Sequence, residues 1–378
     1  MRVLLLDTYY PAFLRQIYSA NVDLAKAGYA VQRDFLLDQC FGTSDFYSRH
    51  LNELGCEAQN LIANCVPLQN RWAQEAGISV FRPFLEISPR LYRLPHMGRL
   101  LARLPGLQHL VSEQIRQFKP DVLYCQDINF LVPETLQALK KSVPLIVGQI
   151  ASPLPAAPFC RGYDLILTSF PHFVPGLRAL GVAAEFFRIG FDPSILERLG
   201  SVEKDIPASF VGGIGRHHGK AVPTLEYLAR KTPIEFFGYG VENLDPQSPI
   251  RLRHHGEVWG LDMYRALARS RITMNRHISA AENNANNMRL YEATGVGTLL
   301  LTDRKDNLGE LFEIGKEVLA YESPEEAASI ISHYLNHPAE AAVIARAGQA
   351  RTLSEHSYAA RMVELFPILK AHLGQKGH

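Results

Sequence analysis

The run FVGGIGRHHGK at 210–220 sets Gly212, Gly213 and Gly215 close to Arg216 and Lys220. Glycines let backbone N–H groups approach an anion closely and nearby cations add charge, a composition suited to phosphate oxygens. The same glycines would also serve a tight turn that needs only their dihedral freedom. Further on, MNRHISAAENNANNMRLYEATGVGTLLLTD covers 274–303. Asn286 or Asn287 is a good N-cap there for a helix whose positive end would face an anion, with Arg289 in its first turn. Glu292 follows on that helix, five residues after Asn287. A carboxylate so placed can accept both hydroxyls of a ribose, as acids do in dinucleotide sites; otherwise it is a charge on a helix surface. TDRKDNLGELF (302–312) offers Asp306 and Asn307 as caps that would close this loop, and FFGYGVENL (236–244) is a glycine-rich loop able to sandwich a base or to be a plain surface loop.

These runs act together only if the elements ahead of them end on one side. Residues 2–6 (RVLLL) form a short apolar run, and 12–27 then read as a helix closed by Gly28, which is the opening of an α/β domain. The alternation continues with YAVQRDFLL as a strand, a helix over 45–54, AQNLIANCV, DVLYC, a helix over 134–140, PLIVGQI, DLILTS, a helix over 175–180 and AEFFRIG. A polar stretch, FDPSILERLGSVEKDIPA, reads as a linker. Strand and helix then alternate again through SFVGGIG, 222–230, IEFFGYG, 261–268, RITMN, 288–293, TLLLT and VLAY, before three closing helices. Short buried strands separated by helices imply parallel sheets, and in such sheets ligands bind beyond the carboxyl ends of the strands.

A chain of 378 residues is long for one core and comfortable for two. Lys and Arg total 39 against 38 Asp and Glu, so there is no basic field for holding nucleic acid. Five cysteines, Cys40, Cys56, Cys65, Cys125 and Cys160, include no C-x-x-C pair, which predicts a reducing compartment and no structural zinc. His217, His218, His254, His255 and His277 lack the spacing and partners of a metal site. The start, MRVLLLDTYYP, is too short in its apolar run for a signal core or a membrane span, so a cytoplasmic chain is expected.

Residues 254–356, from HHGEVWGLDMYRALARSRITMNRHIS through NMRLYEATGVGTLLLTDRKDNLGELFEIGKEVLAY to RTLSEHSY, resemble the C-terminal domain of group 1 glycosyltransferases, most closely the CgeB-like spore-maturation branch. The run from NMR through EA and two glycines into LLLTD is far more specific than a lone glycine loop. A looser similarity extends through YCQDINFL, VGQIASPLP and LTSFPHFV. The resemblance implies an α/β fold of the GT-B type, with two Rossmann-like domains facing a cleft and the last helices crossing back to the first domain. The domains would be an acceptor domain at 1–190, a donor domain at 207–356, and a helix at 357–378 packing on the first. It implies transfer of a sugar from a nucleotide-diphosphate sugar to a glycan, lipid-linked, protein or small-molecule acceptor, with no cofactor and no metal. The leaving diphosphate would be neutralised by Arg216, Arg276 and Arg289, with Lys220 and Lys305 in reserve.

Carried onto this sequence, the donor contacts are Gly212, Gly213, Gly215, Arg216, Lys220, Arg276, His277, Asn286, Asn287, Met288, Arg289 and Glu292, the last matching the superfamily's ribose-binding acid. A second acid expected eight residues earlier is Asn284 here, with Glu282 nearest, which leaves the donor-sugar contacts open. The first half would hold the acceptor through Tyr9, Tyr10, Gln126, Gln149 and Ser152. Asp127 and His172 are the candidates for taking a proton from its hydroxyl, although a lone aspartate or histidine after a strand is more often a turn or cap residue. The arginines of 82–103 could rest on the inner face of an anionic membrane or cover a phosphorylated acceptor, although the prolines there suit an ordinary helical excursion better. The resemblance favours retention of anomeric configuration. A sugar-nucleotide epimerase and a non-catalytic sugar-binding or assembly protein of the same fold are the alternatives.

Overall fold

The structure, a computed structural model, describes residues 1–78, 105–214 and 221–376. It divides into two compact units, Met1–Phe187 with Met362–His378, and Arg188–Arg361. In the first, β1 (Arg2–Asp7), β2 (Glu57–Ile62), β3 (Val122–Cys125), β4 (Leu145–Ile150), β5 (Leu165–Thr168) and β6 (Ala183–Phe186) form a parallel sheet in the order β2-β1-β3-β4-β5-β6. Its helices are α1 (Pro11–Ala20), α2 (Tyr29–Asp38), α3 (Phe46–Glu53), α4 (Val66–Glu75), α5 (Pro105–Phe118), α6 (Pro133–Leu139), α7 (Ala157–Arg161) and α8 (Phe173–Ala179). Leu4, Leu6, Leu123, Ile146 and Ile166 are buried in one cluster with Val111 and Ile115 of α5. Each such side chain contributes about 1.5–3 kcal/mol by leaving water.

The second unit contains α9 (Ser194–Leu199), β7 (Ile206–Val211), α10 (Val222–Lys231), β8 (Ile234–Phe237), α11 (Pro249–Leu252), α12 (Gly260–Arg269), β9 (Ser270–Asn275), α13 (Met288–Gly295), β10 (Leu299–Asp303), α14 (Leu308–Leu311), β11 (Leu319–Tyr321), α15 (Pro324–Asn336) and α16 (Pro338–Glu355). Its strands are parallel in the order β11-β10-β9-β7-β8. Ile272, Met274, Leu299 and Leu301 pack with Leu225 and Leu228 of α10 and Ile344 of α16. The last helix, α17 (Tyr358–Lys376), begins in this unit, and its part from Met362 belongs to the first, where His372 Nε2 meets Glu185 Oε1 at 2.6 Å. Two parallel α/β units are the fold that the alternation of strands and helices predicts.

Three local expectations are corrected. YAVQRDFLL is helix α2, not a strand: Gln32 and Leu36 are buried four residues apart while Val31 is exposed, a helical period rather than an alternating one. Buried Gln32 earns its place by accepting from Tyr18 Oη at 2.8 Å and donating to Ala27 O at 2.8 Å. The helix expected to run to 27 stops at Ala20, where Asn21 leaves the helical conformation at φ −126° and its side chain turns back to bond the Ile17 carbonyl. The expected linker carries α9, whose start is held by Asp192 Oδ1 accepting from the Ser194 N–H at 3.0 Å and hydroxyl at 2.6 Å.

Candidate functional site

In each sheet the order in which strands are added reverses once, between β1 and β3 in the first and between β7 and β9 in the second. Open parallel sheets leave a crevice at such a point, beyond the strands' carboxyl ends.

In the second unit, Gly212 and Gly213 follow β7, and Arg276 and His277 follow β9. The Gly212 N–H bonds Phe237 O at 2.9 Å, and Gly238 has φ +133°. A Cβ on Gly238 would lie 2.0 Å from Gly212 O, so glycine is required where these two loops touch. Gly215, Arg216 and Lys220, with His217 and His218, lie outside the described residues. Arg276 donates to Thr224 Oγ1 in the first turn of α10 at 2.9 Å. His277 is buried, its Nδ1 2.7 Å from Asp303 Oδ1, while its Nε2 has no partner among the described residues. Burial opposes the charge on Asp303, but the hydrogen bond from His277, with the charges of His277 and Lys305, holds the carboxyl below its usual range.

Asn287 is the N-cap of α13, accepting from Leu290 N at 3.2 Å, and its amide also pairs with Asn275 at the end of β9. Asn286 is turned inward instead, accepting from buried Tyr291 Oη at 2.9 Å, so it supports the loop rather than capping the helix. Met288, at the first position of α13, is half-buried. Glu292 is not a surface charge: it is buried, with Oε2 2.7 Å from Arg289. Burial pushes its carboxyl up and the Arg289 charge opposes that. Its Oε1 has no partner among the described residues. Lys305 reaches back to Glu282 O at 2.7 Å and to Asp303 at 3.3 Å, and Asn307 bonds both backbone groups of Ala285, so the loops after β9 and β10 are laced together. Glu282 sits there at φ +49°, a conformation costly for any residue but glycine. Tyr239, after β8, stacks on Trp259 with ring centres 5.5 Å apart and planes 14° from parallel. Sequence reasoning picked out the loop but missed this pair, because Trp259 stands twenty residues away at the start of α12.

In the first unit the corresponding point lies between Asp7, which ends β1, with Thr8 after it, and Gln126 and Asp127 after β3. Asp127 accepts from Thr8 Oγ1 at 2.8 Å and from Asn129 N at 2.9 Å. Gln126 accepts from Thr43 Oγ1 at 2.8 Å. Gln149 is held by Tyr124 at 2.9 Å and Tyr47 at 3.2 Å. Tyr10 is half exposed, but Tyr9, expected to face a ligand, is 1% exposed, its ring packed against Phe13 and Phe41 because Asn64 clamps its backbone on both sides. His172 stands two strands from Asp127, with its ring stacked on Phe170. Asp7 was missed, although an acid closing an apolar strand run was the signal for it. Segment 82–103 lies outside the described residues, and among those described no helix is long and apolar enough to cross a membrane.

The fold is GT-B, as two solved structures aligned over nearly the whole chain establish. HepE from Anabaena in complex with UDP-glucose is 14% identical with a TM-score of 0.56, covering 98% of this chain and 100% of that one. Sucrose-phosphate synthase from Thermosynechococcus elongatus is 11% identical with a TM-score of 0.57, covering 99% and 100%. A UDP-GlcNAc 2-epimerase from Neisseria meningitidis, bound to UDP-GlcNAc, shares the fold at 11% identity and a TM-score of 0.50, covering 98% and 100%. Residues 218–366 match the family described as glycosyl transferase-like, which is the part of the chain that carries Arg276, Asn287, Arg289 and Glu292. No curated protein sequence matches the chain.

Proposed function

We propose that the protein is a glycosyltransferase of the CgeB-like branch, taking a sugar from a nucleoside-diphosphate sugar held by the C-terminal unit and passing it to an acceptor hydroxyl held by the N-terminal unit. The observation that carries this is the coincidence of the glycosyl transferase-like match with glycines after β7, Arg276 after β9, and an Asn287-capped helix bearing Arg289 and Glu292. The helix N-terminus and the two arginines supply the positive charge a leaving diphosphate needs, with no bound cation. Glu292 Oε1 is the acceptor for ribose hydroxyls, and the Tyr239–Trp259 stack is the flat surface suited to a base. UDP-sugars head the candidate donors, since HepE and the epimerase were solved with them.

The test is calorimetry against UDP, GDP, ADP and dTDP and their glucose and N-acetylglucosamine esters, followed by assay of diphosphate release with and without candidate acceptors. Binding of one base class with sugar transfer supports the reading. Conversion of the sugar without release supports the epimerase that shares this fold, and absence of any nucleotide binding rejects both.

A further inference from the structure

Two carboxylates meet at the β1/β3 edge of the N-terminal unit, and they are not equivalent. Asp127 is fully engaged, its Oδ2 taken by the Thr8 hydroxyl and its Oδ1 by the Asn129 N–H. Asp7 is engaged only at Oδ1, by the Thr8 N–H at 2.7 Å; its Oδ2 has no partner among the described residues. Gly42, at φ +60°, lies beside that oxygen, where an added Cβ would be in ordinary contact with it at 3.7 Å. Two donors at the same edge are buried without partners among the described residues: Gln126 Nε2, whose other amide atom is fixed by Thr43, and the hydroxyl of Tyr9 on a ring 1% exposed. A buried donor without a partner is destabilising, and the cost is relieved when a ligand oxygen arrives. Burial pushes the Asp7 carboxyl up, the Thr8 N–H opposes this, and the Asp127 charge adds to it, bringing the group to about 7. Asp127 faces Asp7 from the end of β3, and Asp45 faces Tyr9 from ahead of α3.

We propose that Asp7 is the catalytic base that takes the proton of the acceptor hydroxyl, with Thr8 and Asp127 as positioning residues and Gln126 Nε2 as the donor that holds the acceptor's oxygen. This rests on the glycosyltransferase reading. As the acceptor oxygen forms its bond to the anomeric carbon, its proton passes to Asp7 Oδ2. The bond from that carbon to the diphosphate oxygen breaks, and the electron pair leaves with the nucleoside diphosphate. The proton then goes to solvent. A single displacement assisted by a base inverts the anomeric configuration, contrary to the retention that the group 1 resemblance favours. Burial and the charge of its neighbour raise the proton affinity of Asp7, which suits it to exchange protons near neutrality.

The experiment uses the full chain, the tightest-binding donor of the panel above, and water as acceptor, with the released sugar followed by proton NMR. The expected results are a first product of inverted configuration, and a loss in Asp7→Asn of about 100-fold or more in turnover with donor affinity unchanged. In Asp127→Asn the acid limb of the pH–rate profile should move to lower pH, since removing a negative neighbour makes Asp7 easier to ionise. A retained product, or Asp7→Asn turnover within threefold of wild type, overturns the proposal. If Asp7→Asn does not fold, the product configuration and the Asp127→Asn profile decide. Failure of the wild type to bind any donor would instead sink the reading on which this one rests.

Discussion

At the scale of single residues, burial decides which polar groups are structural and which stay available. Glu292 and Arg289 neutralise each other within α13, so either can be buried at tolerable cost. Glu292→Gln keeps the shape of the side chain and removes a charge-assisted acceptor, so the dissociation constant for the preferred nucleoside diphosphate should rise about tenfold to hundredfold in calorimetry. Unchanged affinity in a folded variant would remove Glu292 from the ribose. His356 makes a different prediction. Burial pushes its ring down to about 4, aided by Arg361, Arg351 and Arg188 and opposed by its bond to Leu311 O, against about 6.5 in the unfolded chain. The folded ring stays neutral while the unfolded one takes a proton, so its contribution is fully present above pH 6.5 and is lost as the pH falls toward 4. The loss should reach about 3 kcal/mol. Urea midpoints measured between pH 7 and 4 should fall less steeply for His356→Gln than for wild type; equal slopes would assign the acid sensitivity elsewhere.

At the scale of elements, the strand ends are set by close backbone approaches. Gly238→Ala would drive a methyl group into the Gly212 carbonyl at a backbone angle that favours glycine, so it should cost about 3 kcal/mol or more and weaken donor binding with it. Gly309, in α14, has nothing within 4 Å of a built Cβ and no positive φ, so Gly309→Ala should leave the melting temperature nearly unchanged. Similar melting temperatures for the two variants would mean that the loops after β7 and β8 relax freely. The N-cap of α13 offers a subtler measurement. Asn287→Ala removes the side chain bonded to Leu290 N and Asn275, which should cost about 1 kcal/mol in stability and raise the donor's dissociation constant. Full donor affinity in that variant would detach the helix terminus from the diphosphate.

For the whole molecule, the proposal is a division of labour. Arg289→Ala should weaken donor binding, whereas Asp127→Ala and His172→Ala should leave it nearly unchanged while at least one of them depresses turnover. Donor titrations beside transfer rates for the three variants check this, and the reverse pattern would exchange the roles of the units. Turnover should also survive exhaustive chelation, since Arg276, Arg289 and a helix terminus meet the diphosphate's charge. Loss of activity in EDTA that magnesium or manganese restores would reject the metal-free reading.

Read alone, the sequence determined the alternation of elements, because apolar runs such as VLYC, LILT and LLLT are too short to be anything but buried strands between helical segments. It also singled out Asn287, Arg289 and Glu292, since capping and helical spacing are local properties. It could not determine that α2 is helical, because a buried glutamine reads as a surface residue until Tyr18 and the Ala27 carbonyl are brought to it. Nor could it foresee that Tyr9 turns into the core, that Trp259 lies on Tyr239, or that Asp7 rather than Asp127 keeps an unengaged oxygen. Those outcomes depend on the order of strands in the sheet, which brings the end of β1 beside the end of β3 across more than a hundred residues of chain. Local spacing carries no record of that adjacency. Desolvation and charge act through it, and so the tertiary structure alone decided which of two neighbouring aspartates is tied down and which is free to exchange a proton.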